Sequence, residues 1–403
     1  MTAIAATFLV SCLGDGLAIT ALMLDFHDRG TGGFGIAALF GAMSIPPIVL
    51  AGLAGRISDR QPARRVLPPL GIALVAVCAL MATAHAVALL IALFAALSGL
   101  MAIAAPVFIK ALLQAAPGPL MSRAGALVSM ASSLGFLIGP GVGALLMDAI
   151  GLRGVLLVDA VTYLAIPVVA LFLPTTTAAP PDSAESDHKS GFLAGLRILA
   201  RHLPLARMVL IGLVLTFALQ VTNVVEVYLV RDSYRASATV FGLVTTAWAA
   251  GQIGGAAIAG RWFAERPTAR PAVLTVLAVG AALLAIATLH SLPGLFILTA
   301  LAGVADGAFG VARQTTLGRT IDSASQGSAV AAHAALLNSA TIAALMCSGL
   351  VAALVQPRTV YALAGGLLLL ALAATHLYRR ADSLKTPAPA TEQCAAPTAL
   401  STD

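Results

Sequence analysis

The chain has 403 residues, 59% of them hydrophobic and only 10% charged, with 23 Lys and Arg against 17 Asp and Glu. Soluble domains carry about a quarter charged residues, and a core of this length could not hide so much apolar surface, so the composition excludes a water-soluble globule. The net charge of +6 is no argument for nucleic acid, because basic residues in a membrane chain mark its cytoplasmic face.

Crossing the hydrocarbon core takes about 20 apolar residues in a helix. Such stretches follow one another at 4–24, 34–54, 66–84, 88–114, 122–147, 151–173, 206–230, 238–260, 271–289, 293–316, 327–354 and 358–378. The expected fold is an all-α membrane protein of twelve transmembrane helices in two pseudo-symmetric six-helix bundles, 1–173 and 206–378. Between them, 174–205 opens as a Pro/Ser/Ala/Asp linker. It ends in an amphipathic segment, with Leu193, Leu196, Ile198, Leu199 and Leu203 interleaved with Arg197 and Arg201, a pattern that suits a helix lying on the inner membrane surface. The Pro/Ala/Thr-rich tail, 379–403, reads as disordered. The first apolar run lacks a basic n-region and is read as a span, not a signal peptide.

Placing both termini in the cytoplasm leaves only Arg29, Arg153, Arg231, Arg235 and Arg358 outside, and 18 of the 23 basic residues inside. That asymmetry fits the positive-inside rule. Cys12, Cys78, Cys347 and Cys394 show no paired spacing, so neither a disulfide framework nor a metal site is expected.

The loop after the second span reads Gly55-Arg56-Ile57-Ser58-Asp59-Arg60-Gln61-Pro62-Ala63-Arg64-Arg65. Shifting the chain by 205 positions sets Gly55-Arg56 on Gly260-Arg261, Pro62 on Pro267 and Arg65 on Arg270. A parallel repeat of two six-helix halves, with a substrate site between them near the midplane, is an established transporter plan.

On these residues the chain resembles the major facilitator superfamily. Gly55, Asp59, Arg60, Arg64 and Arg65 are similar to its signature between spans 2 and 3, with Pro62 where a second glycine is usual. Gly135, Gly139, Pro140 and Gly143 in span 5 resemble the motif of its drug/proton antiporters. Leu13-Gly14-Asp15-Gly16 and Val158-Asp159-Ala160-Val161-Thr162 resemble its macrolide-efflux-like branch. The resemblance implies that Asp59 latches the halves on the cytoplasmic side and that spans 1, 4, 7 and 10 line a central cavity. It also implies an arginine in span 4, where Ala95 stands instead.

Independently of the resemblance, Gly135, Gly139 and Gly143 share a face that lets another backbone come close, and Pro140 is expected to kink the span. Ionisable groups inside a membrane are functional candidates by default. Asp15 continues a stripe with Thr7 and Ser11, Asp306 lies on a stripe with Thr299 and Arg313, and Glu226 shares a face with Thr216, Gln220 and Asn223. A carboxyl taken out of water can exchange a proton as its exposure changes, so Asp15, Glu226, Asp306, Gln220, Asn223 and Ser11 are the proton and substrate candidates. Asp148 and Asp159 are expected near the outer ends of their spans, within reach of water. His333 and Asn338 are expected to hydrogen-bond neighbouring helices.

No nucleotide loop, dinucleotide fingerprint or hydrolase motif occurs, so no enzyme and no cofactor are expected. The function expected is secondary transport by alternating access: proton-coupled efflux of amphipathic or cationic small molecules. The alternative is an importer or a dedicated exporter of one metabolite, such as a siderophore or a sugar. The partners expected are a small-molecule substrate, protons and the lipid bilayer, with no nucleic acid. The chain is expected to be a monomer in a bacterial inner membrane with both termini cytoplasmic.

Overall fold

The computed structural model describes residues 2–114, 121–171, 188–262 and 269–385, and these are helices joined by short turns. In chain order they are α1 (Thr2–Asp28), α2 (Gly32–Arg60), α3 (Ala63–Thr83), α4 (Val87–Gln114), α5 (Met121–Leu171), α6 (His188–Arg201), α7 (Leu203–Tyr228), α8 (Ala238–Trp262), α9 (Ala269–Thr288), α10 (Leu292–Thr320), α11 (Ser323–Leu354) and α12 (Pro357–Lys385).

Ten of the described helices are long and apolar enough to cross a membrane. One of them, α5, makes two crossings, because the chain turns back at Gly151, where φ is 68° and ψ is 176°. That backbone region is essentially open to glycine alone. Gly151 is the single break in helical geometry within α5, and Pro140 sits inside the helical run. Two described helices fall outside the ten: the 14-residue α6, and α8, which carries Thr245, Thr246 and Gln252 among its glycines. With α8 and the two limbs of α5, the crossings number twelve. Large apolar side chains such as Val49, Met346, Leu354 and Leu370 stay outside the packed interior, as expected where the solvent is lipid.

The repeat runs through the whole fold. Helices α2, α3 and α4 begin at 32, 63 and 87, and α8, α9 and α10 begin at 238, 269 and 292, later by 206, 206 and 205. The packing repeats too. Within the first half α5 packs on α1 and α3, and α2 on α4; within the second, α11 and α12 pack on α7, α12 on α9, and α8 on α10. Between halves the main contacts are α2 with α11 and α5 with α8, which exchange under the shift of one half.

One corner repeats in detail. Arg29 donates from Nη1 to the His85 carbonyl at 2.5 Å, and Arg153 Nη2 lies 2.9 Å from His85 Nε2. In the second half, Tyr234 and Arg358 each donate to the Leu289 carbonyl at 2.7 Å. Positions 29 and 234, and 153 and 358, are 205 apart, and His85 is matched by His290. In both halves a side chain after the first helix and another opening the last crossing close over the turn between the third and fourth.

Hydrogen bonds between the halves, among the described residues, gather at one end of the molecule. His27 Nε2 lies 2.9 Å from Asp232 Oδ1, Arg231 Nη2 donates to Asp28 Oδ1 at 3.1 Å, and Thr239 Oγ1 donates to Asp148 Oδ2 at 2.7 Å. A π-helical turn, Leu229–Ser233, ends α7 and presents Arg231 and Asp232 to α1. Close packing accompanies these bonds: Gly33 lies against Ala352, Gly349 against Phe34, and Gly242 against Ala144 and the Pro140 carbonyl. The molecule is shut at this end.

At the opposite end of α2, Arg60 closes the helix, Pro62 starts α3, and Arg64 and Arg65 are exposed in its first turn. Lys110 of α4 donates to the Ser58 carbonyl at 2.6 Å. A Cβ added at Gly55 would meet nothing within 4 Å. The Asp59 side chain lies outside the described residues, as do 174–187 of the linker and 386–403. The amphipathic segment forms α6, whose Gly195 packs on Ser328 and Ala332 of α11, with Leu199 buried and Arg197 and Arg201 exposed. Helix α12 continues to Lys385, beyond the end expected at 378.

Candidate functional site

The close approach of α8 and α10 is built from glycines on both helices. Gly251 lies against the Ala300 carbonyl, Gly255 against that of Val304, Gly303 against that of Trp248, and Gly307 against that of Gln252. Any side chain at these positions would strike backbone, so small residues are what permit this spacing. The approach carries Gln252 to Asp306, and Gln252 Nε2 donates to Asp306 Oδ2 at 2.7 Å. Around the pair opens a cavity of about 390 Å3, walled by Gln252, Ile253, Asp306, Phe309, Gly310 and Arg313 and, from the other half, Ser133 of α5. Acid, amide, guanidinium and hydroxyl thus converge on one space between the halves, the usual form of a small-molecule site.

A second polar group lies inside the first half. The α5 motif packs on α1: Cβ atoms added at Gly135, Gly139 and Gly143 would come 2.5 Å from Cys12 Cβ, 2.8 Å from Gly16 Cα and 2.9 Å from Leu17 Cα. Gly14 in turn lies against the Asp159 carboxylate and the Thr162 hydroxyl. Tyr163 is fully buried and its hydroxyl donates to Asp15 Oδ1. Asp159 is also fully buried; Cys78 Sγ donates to its Oδ2 at 3.4 Å, and the Thr162 hydroxyl sits 2.7 Å from its carbonyl and 3.2 Å from Oδ1. The expectation that water reaches Asp159 is therefore corrected, because α1 and α3 close over the second limb of α5.

The third group is on α7. Asn223 donates to Gln220 Oε1 at 2.9 Å, and half-buried Glu226 stands one turn further on. Ser11 of α1 is buried with an unbonded hydroxyl. Under the 205-residue shift Asp15 corresponds to Gln220 and Ser11 to Thr216. The three candidate acids thus occupy three separate settings: Asp15 in the first half, Glu226 on α7, and Asp306 in the cavity between halves.

Sequence reasoning missed Gln252, Ser133, Tyr163 and the burial of Asp159. A lone glutamine in an apolar span was the available signal for Gln252, and the Asp159–Tyr163 spacing of one helical turn was the signal for the pair. His333 was expected to bond a neighbouring helix; it is buried and neither ring nitrogen has a partner. A larger crevice of about 640 Å3 lies between α2, α4 and α11, lined by Phe34, Ile45, Pro46, Ile91, Leu345 and Met346. None of its lining side chains is polar.

Two repeated six-crossing bundles, shut against each other at one end and bordering a polar cavity, have the architecture of a membrane transporter. The chain belongs to the Major Facilitator Superfamily, whose family model matches residues 4–230 and again 208–402. No curated protein matches the chain. Among solved structures it is similar to the nucleoside transporter NupG, with 16% identity, 94% of this chain and 98% of that one covered, and a TM-score of 0.75. It is also similar to a bacterial homologue of the human lysosomal transporter Spinster in an inward-facing, unoccupied conformation, with 13% identity, coverage of 96% and 98%, and a TM-score of 0.69. A POT family transporter in complex with 5-aminolevulinic acid matches with 12% identity, coverage of 94% and 96%, and a TM-score of 0.71. At these identities the likeness shows the fold.

Proposed function

We propose that the chain is a secondary active transporter that carries one class of small polar solute by alternating access, coupled to protons. The observation that carries this reading is the Gln252–Asp306 bond in a cavity walled by both halves. A site for many lipophilic cations would be lined by aromatic and aliphatic groups. Among the described residues this one presents Asp306, Gln252, Arg313 and Ser133 beside the ring of Phe309 and the aliphatic Ile253, Ala256 and Val311, so polar groups stand in for much of such a lining. A solute entering the cavity would take Gln252 or Asp306 as its hydrogen-bond partner, and protonation of Asp306 would release it. Asp15 and Glu226 are further proton candidates.

The basic asymmetry of the loops supports both termini lying in the cytoplasm of a bacterial inner membrane. On that placement the His27–Asp232 end faces outward and the shut end is external, so the cavity serves the cytoplasmic side. Asp59, Arg60, Arg64 and Arg65, with Gly55, would act as the latch of the opposite, outward-open state. A second reading, drug-type efflux, draws support from the Gly135, Gly139, Pro140 and Gly143 motif, which places α5 against both α1 and α8.

The test is uptake into everted membrane vesicles from a mixed pool of metabolites and lipophilic cations, analysed by mass spectrometry. Polar solutes accumulated by the wild type and not by Asp306→Asn, in a manner abolished by collapsing the pH gradient, are expected. Accumulation of lipophilic cations alone would establish the drug-type reading, and no difference between the two proteins would end both.

A further inference from the structure

Arg313 stands half-buried on the cavity wall, and one of its guanidinium nitrogens has no hydrogen-bond partner. Arg313 follows Asp306 by two turns of α10 and lines the same space. Its guanidinium carbon lies 5.9 Å from the centre of the Phe309 ring, and its Nε is buried with no hydrogen-bond partner. Among the described residues no carboxylate forms an ion pair with it. Its stem runs beside Gly212 of α7, where an added Cβ would sit 3.7 Å from Arg313 Cδ. On α11, His333 is 5% exposed and both its ring nitrogens lack partners.

Buried polar groups in folded proteins are almost always bonded, and an orphan calls for a ligand, an ion or a water. An unpaired guanidinium drawn partly out of water is costly to hold, and its planar fork matches a carboxylate or phosphate oxygen pair. Among the described residues the carboxylate on the cavity wall is Asp306, which is hydrogen-bonded to Gln252 at one oxygen and acts on Arg313 through its charge without an ion-pair contact.

We infer that Arg313 is the recognition point for a carboxylate or phosphate group on the transported solute. The inference rests on the cavity being the substrate site. It narrows the substrate class to acids and zwitterions: the anionic group meets Arg313, and hydroxyl, amide or amine groups at the other end meet Gln252 and Asp306. It also moves away from the cationic drug expected from the sequence.

The test uses the full-length chain in phosphatidylcholine nanodiscs and two matched pairs, nicotinate with nicotinamide and 4-hydroxybenzoate with 4-hydroxybenzamide, together with inorganic phosphate. Binding is read by calorimetry and by the thermal unfolding midpoint. The acids are expected to bind the wild type at least tenfold more tightly than their amides. Arg313→Gln is expected to erase that preference, and Arg313→Lys to keep part of it. Equal binding of acid and amide, no binding of any acid or of phosphate, or a preference that survives Arg313→Gln would overturn the inference. Adding phosphatidylglycerol separates the two sources of an anionic group: if it abolishes acid binding by competition, the cation serves a lipid headgroup and the solute reading falls. Because binding is read without transport, an acid that binds but is never carried counts against the transport reading alone. A neutral solute carried by a protein indifferent to acids counts against this inference alone.

Discussion

His27 and Asp232 lie 205 positions apart in the sequence and 2.9 Å apart in space. They are the same position in the two halves, meeting on the axis that relates them. With Arg231 donating to Asp28 beside them, they tie α1 to the π-helical turn after α7. These groups are partly exposed, and exposed pairs contribute about 0.2–1 kcal/mol each. Neutralising both acids, with Asp28→Asn and Asp232→Asn together, is expected to weaken closure of this end by about 1 kcal/mol, roughly a fivefold shift in population. Spin labels at Ala149 and Ser237 should then show a growing fraction of longer distances. An unchanged distance distribution would mean that packing of α2 on α11 and α5 on α8 holds the end shut alone.

The glycines divide sharply by what surrounds them. Gly139 faces the Gly16 backbone, and Gly139→Val is expected to lower stability by about 1–3 kcal/mol through overpacking, measurable as a lower unfolding midpoint. Gly55 faces open space, and Gly55→Ala is expected to leave stability unchanged or raise it by about 0.5–1 kcal/mol, because alanine suits a helix better. Loss of transport in Gly55→Ala at undiminished stability would therefore report on the latch and not on folding.

The buried bond from Tyr163 to Asp15 has no substitute donor among the described neighbours. Tyr163→Phe strands the carboxylate and is expected to cost about 1–3 kcal/mol. The double variant Tyr163→Phe with Asp15→Leu removes both polar partners and should recover part of that loss. A pair of unfolding curves decides it.

Gln252 and Asp306 are directly bonded, so their substitutions should not add. A double-mutant cycle of Gln252→Ala and Asp306→Ala is expected to show a coupling of about 0.5–3 kcal/mol in unfolding. The coupling should shrink when a transported solute is present, since the solute takes over one partner.

Much of this architecture is legible from the chain alone, for simple reasons. Crossings announce themselves because about 20 apolar residues in a row have no other use, and the 205-residue repeat shows in the Gly-Arg pair near the ends of α2 and α8. The corner built by Arg29, His85 and Arg153, and again by Tyr234, Leu289 and Arg358, follows the same repeat to within one residue but stayed hidden. Two of its members are backbone carbonyls, which leave no trace in residue identity. Partnerships such as Gln252 with Asp306, or Asp159 with Cys78, depend on which helix faces which, and periodicity within one helix carries no information about that. The burial of Asp159 follows from Gly14 letting α1 close over it, a three-helix relation no local pattern encodes. His333 shows the opposite case: polarity suggested a neighbour, and the fold provides none.

The glycine-lined fit of α8 against α10 also sets an order of events during synthesis. Gln252 emerges 54 residues before Asp306, which at about 5–20 residues per second leaves it without that partner for several seconds. Helix α8, the least apolar of the crossings, must meanwhile stay at the membrane with its amide unmatched. The ribosome-bound nascent chain at that stage is a candidate client for whatever holds weakly hydrophobic segments beside the insertion channel, and it is released once α10 arrives to complete the pair.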